Sequence, residues 1–170
     1  PVLVTVHDLT FLRFPEMCTK DTLTYGAHLR RAIDAGAVIH SSSHYVVDEI
    51  SAEFGLRPDQ VAQIYCGLEP VELGDAARGR ARAGADRYLI TLSTIEPRKN
   101  LPALVRAFDA VAAEEPNLHL VMVGPDGWGV EAFRDALAAA HHADRVHRIG
   151  YVSKSERADL LAGATALAYP

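Results

Sequence analysis

From Tyr88 onward, short apolar runs alternate with longer amphipathic stretches, and few folds accept that pattern. Tyr88 to Leu92 reads as a buried strand. Leu101 to about Glu114 reads as a helix, with Leu104, Val105, Phe108, Val111 and Ala112 inward. A strand over Leu118 to Val123 follows, then a helix from Val130 to about His141 with Val130, Phe133 and Leu137 on one side. Val146 to Ile149 is the next strand. Ser153 and Glu156 form a capping box that opens a helix to Leu161. Gly163 ends it, and Ala164 to Tyr169 is the last strand. Repeated strand–helix units with short loops predict a doubly wound parallel sheet.

The first part of the chain carries the same alternation less regularly. Val2 to Val6 is a strand, and a loop is expected from His7 to about Cys18. The pattern from Thr19 to about Ala35 is helical, with Leu23, Ala27, Ile33 and Ala35 as core candidates and Thr19 or Asp21 as cap. Ala37 to Ser41 is a strand. Ser42 or Ser43 then caps a helix whose Val46, Val47, Ile50 and Phe54 share one face, with Gly55 as its stop. Val61 to Tyr65 is a third strand. Leu68 to Asp86 breaks the pattern: Glu69 to Asp75 is turn-rich, and Ala76 to Ala83 suggests a short helix without a strong apolar face. The chain is therefore expected to hold two α/β lobes, residues 1–67 and 87–170, joined by a linker over 68–86.

The stretch Thr94-Ile95-Glu96-Pro97-Arg98-Lys99-Asn100 lies between a strand and a helix. Asn100 is placed to cap that helix and Pro102 suits its first turn. Arg98 and Lys99 then stand beside the positive end of a helix dipole, and two cations with free backbone N–H groups suit a phosphate. The plainer alternative is a solvated basic loop. In doubly wound sheets ligands gather at the carboxyl ends of strands. His7, Gly67, Arg98, Lys99 and Gly124 all fall there. In the glycine-rich loop Gly124 to Gly129, Gly124, Asp126 and Gly127 could line a nucleotide pocket or form an ordinary turn; Trp128 is expected to pack.

Composition narrows the remaining choices. A net charge of −5 over 170 residues argues against a nucleic-acid binder. No apolar run approaches the roughly 18 residues of a membrane span. Cys18 and Cys66 are not at metal-binding spacing. His141 and His142 read as a solvated pair rather than a metal site. Arg78, Arg80 and Arg82 could meet an anionic membrane surface, although a solvated face is the commoner use of such a cluster. The chain starts without Met and in an apolar strand, and it ends in another; both suggest an internal piece of a longer protein. The absence of Gly-x-Gly-x-x-Gly removes a nicotinamide-dependent oxidoreductase.

Glu96-Pro97-Arg98-Lys99-Asn100, with Leu101 and the helix to Phe108, resembles the Glu-x-Arg-Lys-Asn segment of the retaining family 4, or group 1, glycosyltransferases. Val121 to Gly124, Val146 to Ser153 and Ala164 to Pro170 resemble that family's next segments. Val4 to Leu9 and Ala37 to Ser43 resemble the second half of its acceptor lobe. Ser93-Thr94 stands where many relatives have Gly before Thr, and the family's pair of glutamates would fall after Pro170. The resemblance implies the GT-B architecture of two Rossmann-like parallel-sheet lobes, both incomplete here. Residues 1–67 would then bind the acceptor and 87–170 the donor. It also implies hexose transfer, mannosyltransferase-like, from a GDP- or UDP-linked sugar to a glycan or lipid-linked acceptor, without a catalytic metal. His7 would be the acceptor-side histidine. Arg98 and Lys99 would stabilise the leaving diphosphate, and Asn100, Gly124 and Asp126 would lie along the nucleotide. The setting implied is cytoplasmic, with peripheral contact at the inner face of the membrane. A non-catalytic nucleotide-sugar binding module is the alternative.

Overall fold

A computed structural model describes residues 2–70 and 73–170. Pro1, and Val71 and Glu72 of the turn-rich stretch, lie outside the described residues. The chain divides into two compact units, Pro1–Glu69 and Pro70–Pro170.

In the first unit three strands form a parallel sheet in the order β1-β2-β3: β1 (Leu3–Thr5), β2 (Val38–Ser41) and β3 (Val61–Gln63). The stretch expected as a loop after β1 contains a one-turn helix, α1 (Thr10–Arg13), and a 3-10 turn, Pro15–Met17. The Asp8 carboxylate accepts from Thr10 N at 2.9 Å, which opens that turn. The helix expected from Thr19 begins later: α2 is Tyr25–Asp34. Threonines explain the delay. Thr19 and Thr22 hydroxyls bond to each other at 2.9 Å, and Thr24 Oγ1 donates to Asp21 O, offering the backbone an alternative to the helix. The buried residue of α2 is Leu29; Leu23, Ala27 and Ala35 are exposed and Ile33 is half-buried, so the expected apolar face was out of register. Helix α3 (His44–Phe54) buries all four expected residues, Val46, Val47, Ile50 and Phe54, against Ile39 and Val61. Gly55 ends it at φ 68°, while Ser43 stands at its N-cap without a side-chain bond.

The second unit holds α4 (Ala76–Ala83), β4 (Tyr88–Leu92), α5 (Leu101–Ala112), β5 (His119–Val123), α6 (Glu131–Ala139), β6 (Val146–Ile149), α7 (Lys154–Gly163) and β7 (Ala166–Leu167). Its strands are all parallel, in the order β6-β5-β4-β7. Both faces are covered, so β5 after His119 reads as an unbroken apolar run, Leu120 to Val123. Leu120 and Met122 enter the core beneath α5 and α6, whereas Val121 and Val123 enter the one beneath α7. Along α5 the buried stripe is Leu101, Leu104, Val105, Phe108 and Ala112; Val111, expected inward, is 46% exposed on the flank. Helix α6 stops at Ala139, short of the expected His141, because Asp109 on α5 takes the next turn: its carboxylate accepts from His142 N at 2.8 Å. The imidazoles of His141 and His142 bond to the same carboxylate. Together, the His142 backbone first, they hold Asp109 well below the usual carboxylate range.

Helix α4 is capped by Asp75, which accepts from Ala77 N and Arg78 N, and Gly84 closes it at φ 70°. It packs on α7 at backbone contact. A Cβ on Gly79 would stand 1.9 Å from Asp159 O, and one on Gly163 would stand 2.7 Å from the Tyr88 hydroxyl. Exposed basic side chains of α4 face acids of α7: Arg78 meets the buried Asp159 at 3.2 Å, and Arg82 meets Glu156. Gly79→Ala is expected to cost the second unit about 1–3 kcal/mol by overpacking. Gly150→Ala, whose Cβ would meet nothing within 4 Å, should change stability by less than about 0.5 kcal/mol. Urea unfolding followed by Trp128, the single tryptophan and part of this unit, measures both.

At the amino ends of β5 and β6, His119 Nδ1 and His147 Nε2 share a hydrogen at 2.7 Å. Burial, then His147 and Arg145, lower the His119 pKa. Its folded value lies below the unfolded one, so the neutral form is favoured. That contribution is complete above the unfolded value of about 6.5 and is lost as pH falls toward the folded one. The urea midpoint should therefore drop between about pH 7.5 and about pH 5.5 by more in the natural chain than in His119→Phe.

Candidate functional site

In the second sheet the chain steps outward from β4 through β5 to β6, then returns to place β7 on the other side of β4. The strand order thus reverses at the β4–β7 pair, and the crevice above the carboxyl ends of that pair is where a doubly wound sheet accepts a ligand. The loop after β4, Ser93 to Asn100, forms one wall. It contains a 3-10 turn, Pro97–Lys99, and enters α5 through Asn100 at φ 47°, ψ 33°. This corrects the expected cap. Asn100 stands at the N-cap but makes no side-chain bond to the helix; it serves through its backbone, in the left-handed region that asparagine tolerates better than most residues. Its carbonyl accepts from Ala103 N and Leu104 N. Pro102 lies in the first turn, as expected.

The two cations are engaged differently. Arg98 Nε donates to Glu96 Oε1 at 3.0 Å, with Glu96 the more buried partner. Glu96 thus orients the loop. Lys99 reaches across the crevice, and its Nζ donates to the Tyr169 hydroxyl at 2.5 Å. Tyr169 follows β7 and was not among the expected site residues. The last strand, expected over Ala164 to Tyr169, is only Ala166–Leu167; the signal that could have found Tyr169 is its place at the carboxyl end of that apolar run, on the ligand edge.

The loop after β5 backs that wall, resting on it at backbone distance. A Cβ on Gly124 (φ 139°) would stand 2.2 Å from Ser93 O, and one on Gly127 would stand 2.8 Å from Ile95 O. Ile95 N donates to Pro125 O and Gly127 N to Ile95 O. Gly124 N donates to Ile149 O and Gly150 O, tying in the end of β6. The Asp126 carboxylate is shared by Arg134, at 3.4 Å, and Arg148. Gly124 and Asp126 therefore hold the two loops and β6 together. Trp128 is half-buried in this loop. Under these loops, Thr91 Oγ1 and Ser93 Oγ are buried without a hydrogen-bond partner.

His7 lies in the first unit, exposed at the carboxyl end of β1. Arg98, Lys99, Asn100, Gly124 and Asp126 all lie at the ligand edge of the second. Among the described residues no group of three or more His, Cys, Asp or Glu side chains could hold a metal ion, and no helix is long and apolar enough to cross a membrane.

Residues 76–170, more than half of the chain and all of the site just described in the second unit, match the family described as glycosyl transferases group 1. The chain belongs to the group 1 glycosyltransferases. It is 23% identical over 176 residues to O-antigen chain mannosyltransferase B of Escherichia coli, covering 99% of this chain and 46% of that protein. Among solved structures it resembles WaaG, a glycosyltransferase involved in lipopolysaccharide biosynthesis, with a TM-score of 0.78 and 16% identity over 99% of this chain and 50% of that one. It also resembles Anabaena HepE in complex with UDP and glucose, with a TM-score of 0.72 and 18% identity over 99% of this chain and 46% of that one. These likenesses agree with the GT-B fold of two parallel-sheet α/β lobes. The chain spans about half the length of these relatives.

Gly124→Ala combines a left-handed backbone with a Cβ 2.2 Å from a carbonyl oxygen. It is expected to destabilise the second unit by about 2–4 kcal/mol, read by urea unfolding of Trp128 in the same loop. A loss below about 1 kcal/mol would mean the two loops part easily.

Proposed function

We propose that this chain works in a retaining hexosyltransferase that moves a hexose, preferentially mannose, from a nucleoside-diphosphate sugar to a hydroxyl of a glycan or lipid-linked acceptor. In this reading the second unit, with its donor loop, binds the nucleotide sugar and the first unit binds the acceptor. The observation that carries it is the pair Arg98 and Lys99 beside the β4–β7 crevice, in the part of the chain that matches the family. Mannose is favoured by the mannosyltransferase among the relatives. A nucleotide at the crevice is favoured by the UDP held by HepE, so the donor is UDP- or GDP-linked.

As the sugar leaves, negative charge grows on the diphosphate oxygen. Cations already in place stabilise that charge more than they stabilise the ground state, and this lowers the barrier. Lys99 supplies a point charge, and the 12-residue helix α5 adds the positive end of its dipole. Arg98, aligned by Glu96, adds a planar donor fork. These groups would do the work of a metal, so no metal is required. Retention would follow from attack on the face the diphosphate leaves, with a leaving oxygen taking the acceptor proton. His7 would orient the acceptor hydroxyl. Asn100, Gly124 and Asp126 would shape the nucleotide side by fixing the two loops. The protein would act in the cytoplasm, peripherally at the membrane where the acceptor is lipid-linked, and without nucleic acid.

In the full-length enzyme, Arg98→Ala or Lys99→Ala should each lower turnover on the order of 10²–10³-fold. Steady-state transfer from GDP-mannose and UDP-glucose, with circular dichroism to confirm folding, measures this. A folded double variant with undiminished donor affinity and turnover would remove the site.

A further inference from the structure

The inference here rests on the diphosphate reading of the crevice and adds a residue to it. We propose that Tyr169 is a positioning residue for Lys99, holding the ammonium at the crevice before the diphosphate arrives. Lys99 Nζ is 2.5 Å from the Tyr169 oxygen and 5.1 Å from the centre of its ring. The longer distance is nearly the shorter one plus the phenol's own length from ring centre to oxygen, so the three points lie close to one line. The cation therefore sits off the hydroxyl tip, and the contact is a charge-assisted hydrogen bond, with the ammonium donating, rather than a stack on the ring face.

Such a holder answers a specific cost. A lysine ammonium rides on a flexible four-carbon stem, and immobilising it on binding costs rotamer entropy. Tyr169 removes part of that cost in advance. Its own position is inherited from the sheet: Leu89 pairs with Ala166, Ile90 with Leu167, and Ala168 N donates to Ile90 O at 2.8 Å. The phenol thus stands one residue past the last main-chain bond to β4, and Lys99 is referenced to the end of β7 as well as to its own loop. The contact links the segments that leave two paired neighbouring strands, β4 and β7.

Calorimetry with UDP, GDP, uridine and guanosine on the natural chain, Tyr169→Phe, Lys99→Ala and the double variant tests this. Tyr169 is 59% exposed, so the phenylalanine is tolerated, and a thermal melt verifies it. Loss of a hydrogen bond to a charged group should weaken UDP or GDP binding about tenfold, leave the nucleosides unaffected, and add nothing further once Lys99 is alanine. If Lys99→Ala weakens the diphosphates and Tyr169→Phe does not, the positioning role is wrong and the diphosphate site stands. If Tyr169→Phe costs the same with and without Lys99, it does not act through the lysine and the proposal falls. If Lys99→Ala leaves UDP and GDP binding unchanged, or the natural chain binds neither, the diphosphate site falls and this inference with it.

Discussion

The ligand edge of the second unit depends on two loops that lie backbone on backbone. A Cβ on Gly124 would stand 2.2 Å from Ser93 O and one on Gly127 2.8 Å from Ile95 O, both inside van der Waals contact. Only glycine permits that approach, and it lets the main-chain groups of Ile95, Pro125 and Gly127 satisfy one another. The loop that carries Arg98 and Lys99 is thereby fixed to β5, and through Gly124 N to the end of β6. A loop that merely covered the sheet would leave those cations mobile. One that is hydrogen-bonded to its neighbour presents them on a base nearly as rigid as the strands.

On that base the electrostatics are local. The chain as a whole is acidic, at −5, yet the crevice is headed by a helix N-terminus and by Lys99. Acids near it are already committed. Glu96 meets Arg98, and Asp126 is divided between Arg134 and Arg148. Pairing of this kind limits the repulsion an anion would meet and sets the direction of each cation, which matters more for a transition state than the number of charges. Away from the crevice, the seam between α4 and α7 uses the same device in a different material. Glycines allow contact, and Asp159, buried, accepts from Asp75 N and from Arg78.

Much of this was legible in the chain. Strands Tyr88 to Leu92 and Val146 to Ile149 begin and end where the sequence places them, and the Ser153–Glu156 capping box is formed as the three-residue spacing predicts. The α3 face was readable because four large apolar residues repeat at helical spacing and a glycine stops them. Errors came where a side chain competes with the backbone or where a distant residue intervenes. Threonine hydroxyls delayed α2. Asp109, thirty-three residues away, ended α6 before the histidines. At Asn100 a residue that caps helices through its side chain instead turned the chain through its backbone, a choice made by the 3-10 turn before it.

The order of apolar runs by itself determined that there would be parallel sheets flanked by helices, and the basic pair after β4 had to lie at their carboxyl edge, because topology alone sends every strand-to-helix loop there. What the chain order could not state is which loops touch. Tertiary structure decided that β7 lies beside β4 while β5 and β6 lie on its other side. That placement brought Tyr169 to Lys99 across seventy residues and divided Asp126 between two arginines. Such contacts depend on strand order and register, which no local pattern of residues encodes, since they are settled only when the faces of different strands and helices compete for the same core.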